Sequence, residues 1–129
     1  MPAPKIPQVH LVDDDPDVRS AVSLLLKTED FRVTAYADAQ SVLAGVDAAT
    51  PGCLVLDVRL PDMDGLTLQR ELKSRGVEMP VVFITGHGDI PMAVRAVSEG
   101  ALDFLEKPFH DGALIDGVRH ALELDAQRR

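Results

Sequence analysis

Gly52-Cys53-Leu54-Val55-Leu56-Asp57-Val58-Arg59-Leu60-Pro61-Asp62-Met63-Asp64-Gly65 is the stretch around which the chain is organised. From Cys53 to Val58 five of six residues are apolar and suited to extended backbone, which predicts a strand covered on both faces; Asp57 is the exception. An ionised carboxylate buried without a partner is costly, so Asp57 either sits at the mouth of a site reached by water or a cation, or lies outside the strand. Pro61 cannot continue a central strand, and Asp62-Met63-Asp64-Gly65 is turn and helix-start chemistry. These favour the first option. In an open α/β sheet the edge where strands give way to loops is where ligands bind.

Upstream, Gln8 to Val12 predicts a short strand running into Asp13, Asp14, Asp15 and Pro16, with Pro16 in the first turn of a helix and Asp15 as its cap. Over Pro16 to Thr28 the residues Val18, Ala21, Val22 and Leu25 recur at helical spacing and form the expected inward stripe. Phe31 to Tyr36 alternates, predicting a more exposed second strand, and Asp38 to Ala48 is Ala-rich and helical by propensity. Downstream, Gly65 to Arg75 predicts a helix, Val81 to Thr85 a strand closed by the loop Gly86-His87-Gly88-Asp89, and Ile90 to Glu99 a short helix. Leu102 to Leu105 predicts a last strand and Asp111 to about Gln127 a last helix, with Leu114, Val118, Ala121 and Leu122 inward. Five strands alternating with five helices predict an α/β fold, a parallel sheet covered on both faces.

The 129 residues suit one domain with a real core, and that core must be Val, Leu, Ile and Ala because only 4% of residues are aromatic and Trp is absent. A formal charge of -8 opposes non-specific binding to nucleic acid or to an anionic membrane surface. Cys53 is the single cysteine, so no internal disulfide forms, and it reads as a small hydrophobe inside a strand. Met1 to Pro7 carries one Lys and three Pro with no apolar run, and no stretch reaches membrane-spanning length, so the cytoplasm is the expected compartment.

If the strands are parallel, one edge collects Asp13 and Asp14 after the first strand, Asp57 from the third, Thr85 from the fourth and Lys107 after the fifth. Three carboxylates so close repel one another unless a divalent cation lies between them. Oxygen-only ligands point to Mg²⁺; His10, His87, His110 and His120 fall in separate elements without ligand spacing. A free carboxylate, a hydroxyl, an ammonium and Mg²⁺ together suit phosphoryl transfer onto Asp57, giving an aspartyl phosphate.

The motifs Leu11-Val12-Asp13-Asp14-Asp15-Pro16, Leu56 to Gly65, Val82 to Asp89 and Ala101 to Phe109 cover nearly the whole chain in order. With them the chain resembles a response-regulator receiver domain of bacterial two-component signalling. Thr85-Gly86-His87-Gly88-Asp89-Ile90-Pro91-Met92-Ala93-Val94 and Asp103-Phe104-Leu105-Glu106-Lys107-Pro108-Phe109 are most similar to the FixJ-type branch, then to dicarboxylate-transport regulators of NtrC type. The resemblance implies a flavodoxin-like strand order 2-1-3-4-5 and a phosphoacceptor at Asp57. It implies Mg²⁺ on Asp13, Asp14, Asp57 and the backbone carbonyl of Arg59, and phosphoryl contacts from Thr85 and Lys107. It further implies a cis Lys107-Pro108 bond and a switch aromatic at Phe104, here without the hydroxyl of the Tyr common elsewhere. A sensor histidine kinase is the implied donor. The face of the fourth helix and fifth strand is the implied output surface, able to dimerise, and a DNA-binding output domain outside these residues would control transcription.

The domain expected is 8–123, with an N-terminal tail over 1–7 and residues 124–129 as a tail or the start of a linker. Two other readings compete. An Mg²⁺-dependent hydrolase with an Asp nucleophile commonly carries a second Asp two residues on, whereas Arg59 stands there. A receiver-like interaction module would be expected to lack one of the five site residues, and all are present. A signalling domain that assists its own phosphoryl chemistry, rather than an enzyme, is therefore the expected class.

Overall fold

The apolar runs become strands and the mixed segments between them become helices, in strict alternation. The computed structural model describes residues 6–129, apart from the side chain of His87; the expected N-terminal tail lies, through Lys5, outside the described residues. The strands are β1 (Gln8–Val12), β2 (Val33–Tyr36), β3 (Gly52–Asp57), β4 (Val81–Thr85) and β5 (Asp103–Glu106). The helices are α1 (Pro16–Thr28), α2 (Ala39–Gly45), α3 (Gly65–Ser74), α4 (Ile90–Ser98) and α5 (Asp111–Arg128). All pairings are parallel and the sheet order is β2-β1-β3-β4-β5.

β3 sits centrally and is buried along its whole length. Period-two alternation sends Leu54 and Leu56, with Val12 and Phe83, to a core closed by α2, α3 and α4. Cys53 and Val55, with Leu11, Val82 and Ile84, face the opposite core under α1 and α5. Gly52 opens the strand at φ 127° beside the Gln8 carbonyl, a conformation and an approach that a side chain would not permit. Its N–H donates to Asp125 Oδ2 at 2.7 Å, so the buried Asp125 ties the far end of α5 to the start of the central strand. α5 continues through residues 124–128, read in the sequence as a tail or linker start.

Three local expectations are corrected. In α1 the structure buries Val22 and Leu26, half-buries Val18 and Leu25, and leaves Ala21 exposed. The helix is rotated so that the larger Leu26 takes the core position, where more apolar area leaves water. α2 ends at Gly45 because Val46 turns extended and buries its side chain in the core instead of continuing the helix. Gly86-His87-Gly88-Asp89 is no open loop: His87–Asp89 form a 3-10 turn leading directly into α4.

Candidate functional site

The register decides which residues meet. Val12 lies opposite Leu56, Asp57 opposite Ile84, and Thr85 opposite Glu106. The residues just past these pairs, Asp13, Asp57, Thr85 and Lys107, therefore arrive at one sheet edge. β3 can stop there because Gly65 N donates to Val58 O at 2.6 Å, turning the chain back at once. A Cβ on Gly65 would stand 2.7 Å from Phe83 Cε1 and 2.9 Å from the Asp57 carbonyl, so glycine is required beneath the site.

Asp13 is fully buried, Asp57 is buried and Asp14 is exposed. Asp13 Oδ1 accepts from Asp15 N at 2.9 Å, and Asp57 Oδ1 accepts from Arg59 N at 2.9 Å. Lys107 Nζ reaches across from β5, donating to Asp57 Oδ2 at 3.1 Å and to Asp13 Oδ2 at 3.3 Å. Burial pushes the Asp57 carboxyl above the usual carboxylate range, with the Asp13 charge adding to it, against the Arg59 N–H and Lys107 that pull it down. Burial works against the Lys107 ammonium, but its bond to Asp57 and the charges of Asp57 and Asp13 outweigh that and raise its pKa.

Thr85 is fully buried at the end of β4, and its hydroxyl donates to the Gly86 carbonyl at 3.1 Å rather than to a site carboxylate. Phe104 is half-buried in β5 against the core under α2, α3 and α4. The Lys107–Pro108 bond is cis. A cleft of about 390 Å³ opens above the group, lined among others by Asp14, Asp57, Pro61, Gly86, Asp89 and Lys107.

One oxygen from each of Asp13, Asp14 and Asp57 can be chosen so that all three lie within 4.8 Å of one another. Lys107 is the cation bonded to two of these three carboxylates, which leaves a net negative, oxygen-only donor set. That chemistry fits a hard divalent ion such as Mg²⁺ better than a soft metal.

Two contacts at the rim are invisible in the sequence. Arg59 Nε donates to both carboxylate oxygens of Asp89 at 2.8 Å, joining the loop after β3 to the loop after β4, and this bond holds the Asp89 carboxyl below its ordinary range. Asp62, read as turn chemistry, accepts from Ala39 N at 3.0 Å and Gln40 N at 2.9 Å, the first residues of α2.

Residues 9–119 match the family described as response regulator receiver domain. The chain belongs to that family. This receiver is 45% identical over 121 residues to the response regulator protein TodT of Pseudomonas putida, covering 94% of this chain and 53% of TodT. It is 46% identical over 123 residues to the transcriptional regulatory protein FixJ of Azorhizobium caulinodans, covering 93% of this chain and 57% of FixJ. Among solved structures, the response regulator StyR superposes with a TM-score of 0.89 at 46% identity, over 95% of this chain and 62% of that one. FixJ-N superposes with a TM-score of 0.85 at 41% identity, over 92% and 95%. The receiver thus spans about half the length of the TodT and FixJ proteins it matches, and its relatives include transcriptional regulators of the FixJ-type branch. Among the described residues no helix is long and apolar enough to cross a membrane.

Proposed function

We propose that this receiver is a phosphorylation-driven switch that accepts a phosphoryl group from a histidine kinase on Asp57. The observation that carries the reading is a buried carboxylate at a strand end, 3.1 Å from an ammonium and beside two further carboxylates. A structural role for this arrangement is a poor account of it, because burial destabilises the ionised Asp57 in the resting protein.

In the proposed transfer an Asp57 oxygen attacks phosphorus in line. The bond from phosphorus to the donor's imidazole nitrogen breaks, that nitrogen keeps the electron pair, and the ring, whose other nitrogen carries a proton, leaves as neutral imidazole. Lys107 lies where it would pair with the phosphoryl oxygens, and Asp57 is held for attack by the Arg59 N–H. Asp13, Asp14, Asp57 and the Arg59 carbonyl would hold Mg²⁺, which when bound supplies positive charge opposite the phosphoryl oxygens. Thr85 would leave the Gly86 carbonyl for the phosphoryl group, and Phe104 would turn further inward into the space vacated. That would reshape the face of α4 and β5, available to a second copy or an output domain. In a longer regulator of FixJ type, the output would be control of transcription; dephosphorylation would be assisted by the same residues.

Borohydride reduction of the phosphorylated protein converts an aspartyl phosphate to homoserine. The expected result is homoserine at position 57. Homoserine at another aspartate would refute the assignment.

A further inference from the structure

Asp62 stands at the apex of the loop between β3 and α3, and both its oxygens are engaged by backbone N–H groups of a different element. α2 already has a local cap, since Asp38 accepts from Ser41 N at 2.8 Å. A helix leaves four N–H groups unsatisfied at its start, so Asp62 serves two of those that the local cap does not. The little burial Asp62 has works to raise its pKa, but the N–H groups of Ala39 and Gln40 outweigh it and hold the carboxyl below its ordinary range.

The same loop is pinned at its base by its own backbone: Gly65 N donates to Val58 O at 2.6 Å, and Arg59 forms a bridge with Asp64. Its apex is pinned by α2 through Asp62. Between these anchors lie the Arg59 N–H on Asp57 Oδ1 and the residues Leu60 and Pro61 that line the cleft. The Arg59 N–H that meets the Asp57 carboxylate thus belongs to a loop whose apex Asp62 ties to α2.

We propose that Asp62 is a positioning residue for Asp57: docked on the start of α2, it holds the Arg59–Pro61 wall so that the Arg59 N–H stays on the Asp57 carboxylate. α2 and the site then form one coupled unit, in which ordering either end orders the other. The positioning rests on geometry alone; its effect on metal binding and phosphoryl transfer rests on the reading given under Proposed function.

The test compares wild type, Asp62→Ala, Asp62→Asn and Asp38→Ala; Asp38→Ala removes a cap from the same helix without touching the loop. In the metal-free proteins, amide exchange at Arg59 should accelerate about tenfold in Asp62→Ala, less in Asp62→Asn with its single carbonyl acceptor, and little in Asp38→Ala. Half-saturation of the amide shifts by Mg²⁺ should rise about tenfold in Asp62→Ala, as for loss of a group that orients a ligand, and phosphorylation by acetyl phosphate should slow with it. Unchanged Arg59 exchange in Asp62→Ala, or an equal effect from Asp38→Ala, overturns the proposal. A wild type that takes no phosphoryl group overturns the Asp57 reading instead, and the metal-free exchange still decides on Asp62.

Discussion

Asp57 is held in a conflict between burial, which favours its neutral form, and the N–H and ammonium donors, which favour the anion. Burial prevails, so its pKa in the folded protein lies above that in the unfolded chain. A carboxyl shifted this way contributes stability below its unfolded pKa and loses it as pH rises through the folded pKa. Above its unfolded pKa, and so at pH 7, the Asp57 carboxyl is therefore a cost to the fold, and Asp57→Asn, a neutral isostere, should raise the melting temperature there. The difference should shrink as pH falls and wild-type Asp57 becomes protonated; thermal melts of both proteins across that range check it, and a lower melting temperature for Asp57→Asn at pH 7 would contradict it. Asp57 was legible because a charged residue in an apolar run is conspicuous. Asp62 and the Arg59–Asp89 pair were not, since contacts between loops far apart in sequence leave no period to read.

At the scale of elements, parallel pairing does most of the positioning. Because every strand runs the same way, residues that follow strand ends are neighbours without any further device. This is why the convergence of Asp13, Asp57, Thr85 and Lys107 could be inferred from strand boundaries alone. Helix faces were less legible: α1 carries apolar residues at Val18, Ala21, Val22, Leu24, Leu25 and Leu26, which admit more than one stripe, and only packing selects Leu26 over Ala21. Helix propensity alone carries α2 on to Ala48, because it does not register that Val46 gains more from the core than from another turn. The turn beneath the site gives the prediction at this scale. Gly65→Ala places a methyl against Phe83 and the Asp57 carbonyl and should cost about 1–3 kcal/mol of unfolding free energy, read from urea denaturation. Because it displaces the Asp57 backbone, phosphorylation should fall with it; an unchanged urea midpoint would mean the turn is looser than described.

Across the whole molecule the sheet separates two cores, and the site edge touches both. Phe104 belongs to the core under α2, α3 and α4, whereas Leu105, Phe109 and the helix α5 pack on the other side. Lys107 sits on the chain just after this division and bonds to carboxylates from β1 and β3, so it links β5 to the centre of the sheet. Lys107→Ala should accordingly retain part of the phosphorylation and lose the change at α4 and β5, measured as phosphorylation-dependent amide shifts in those elements. Wild-type shifts in the phosphorylated variant would deny Lys107 its coupling role. Val94 and Val97 on α4 are exposed and give that face apolar surface.

On the proposed reading Asp57 takes a phosphoryl group in a site completed by a divalent cation. Intact mass after incubation with acetyl phosphate, with and without Mg²⁺, on wild type and Asp57→Asn, tests it most directly. The expected result is a single phosphoryl adduct on wild type that requires Mg²⁺ and is absent from Asp57→Asn. Folded wild type that binds Mg²⁺ yet gains no adduct, or an adduct that persists in Asp57→Asn, would contradict it.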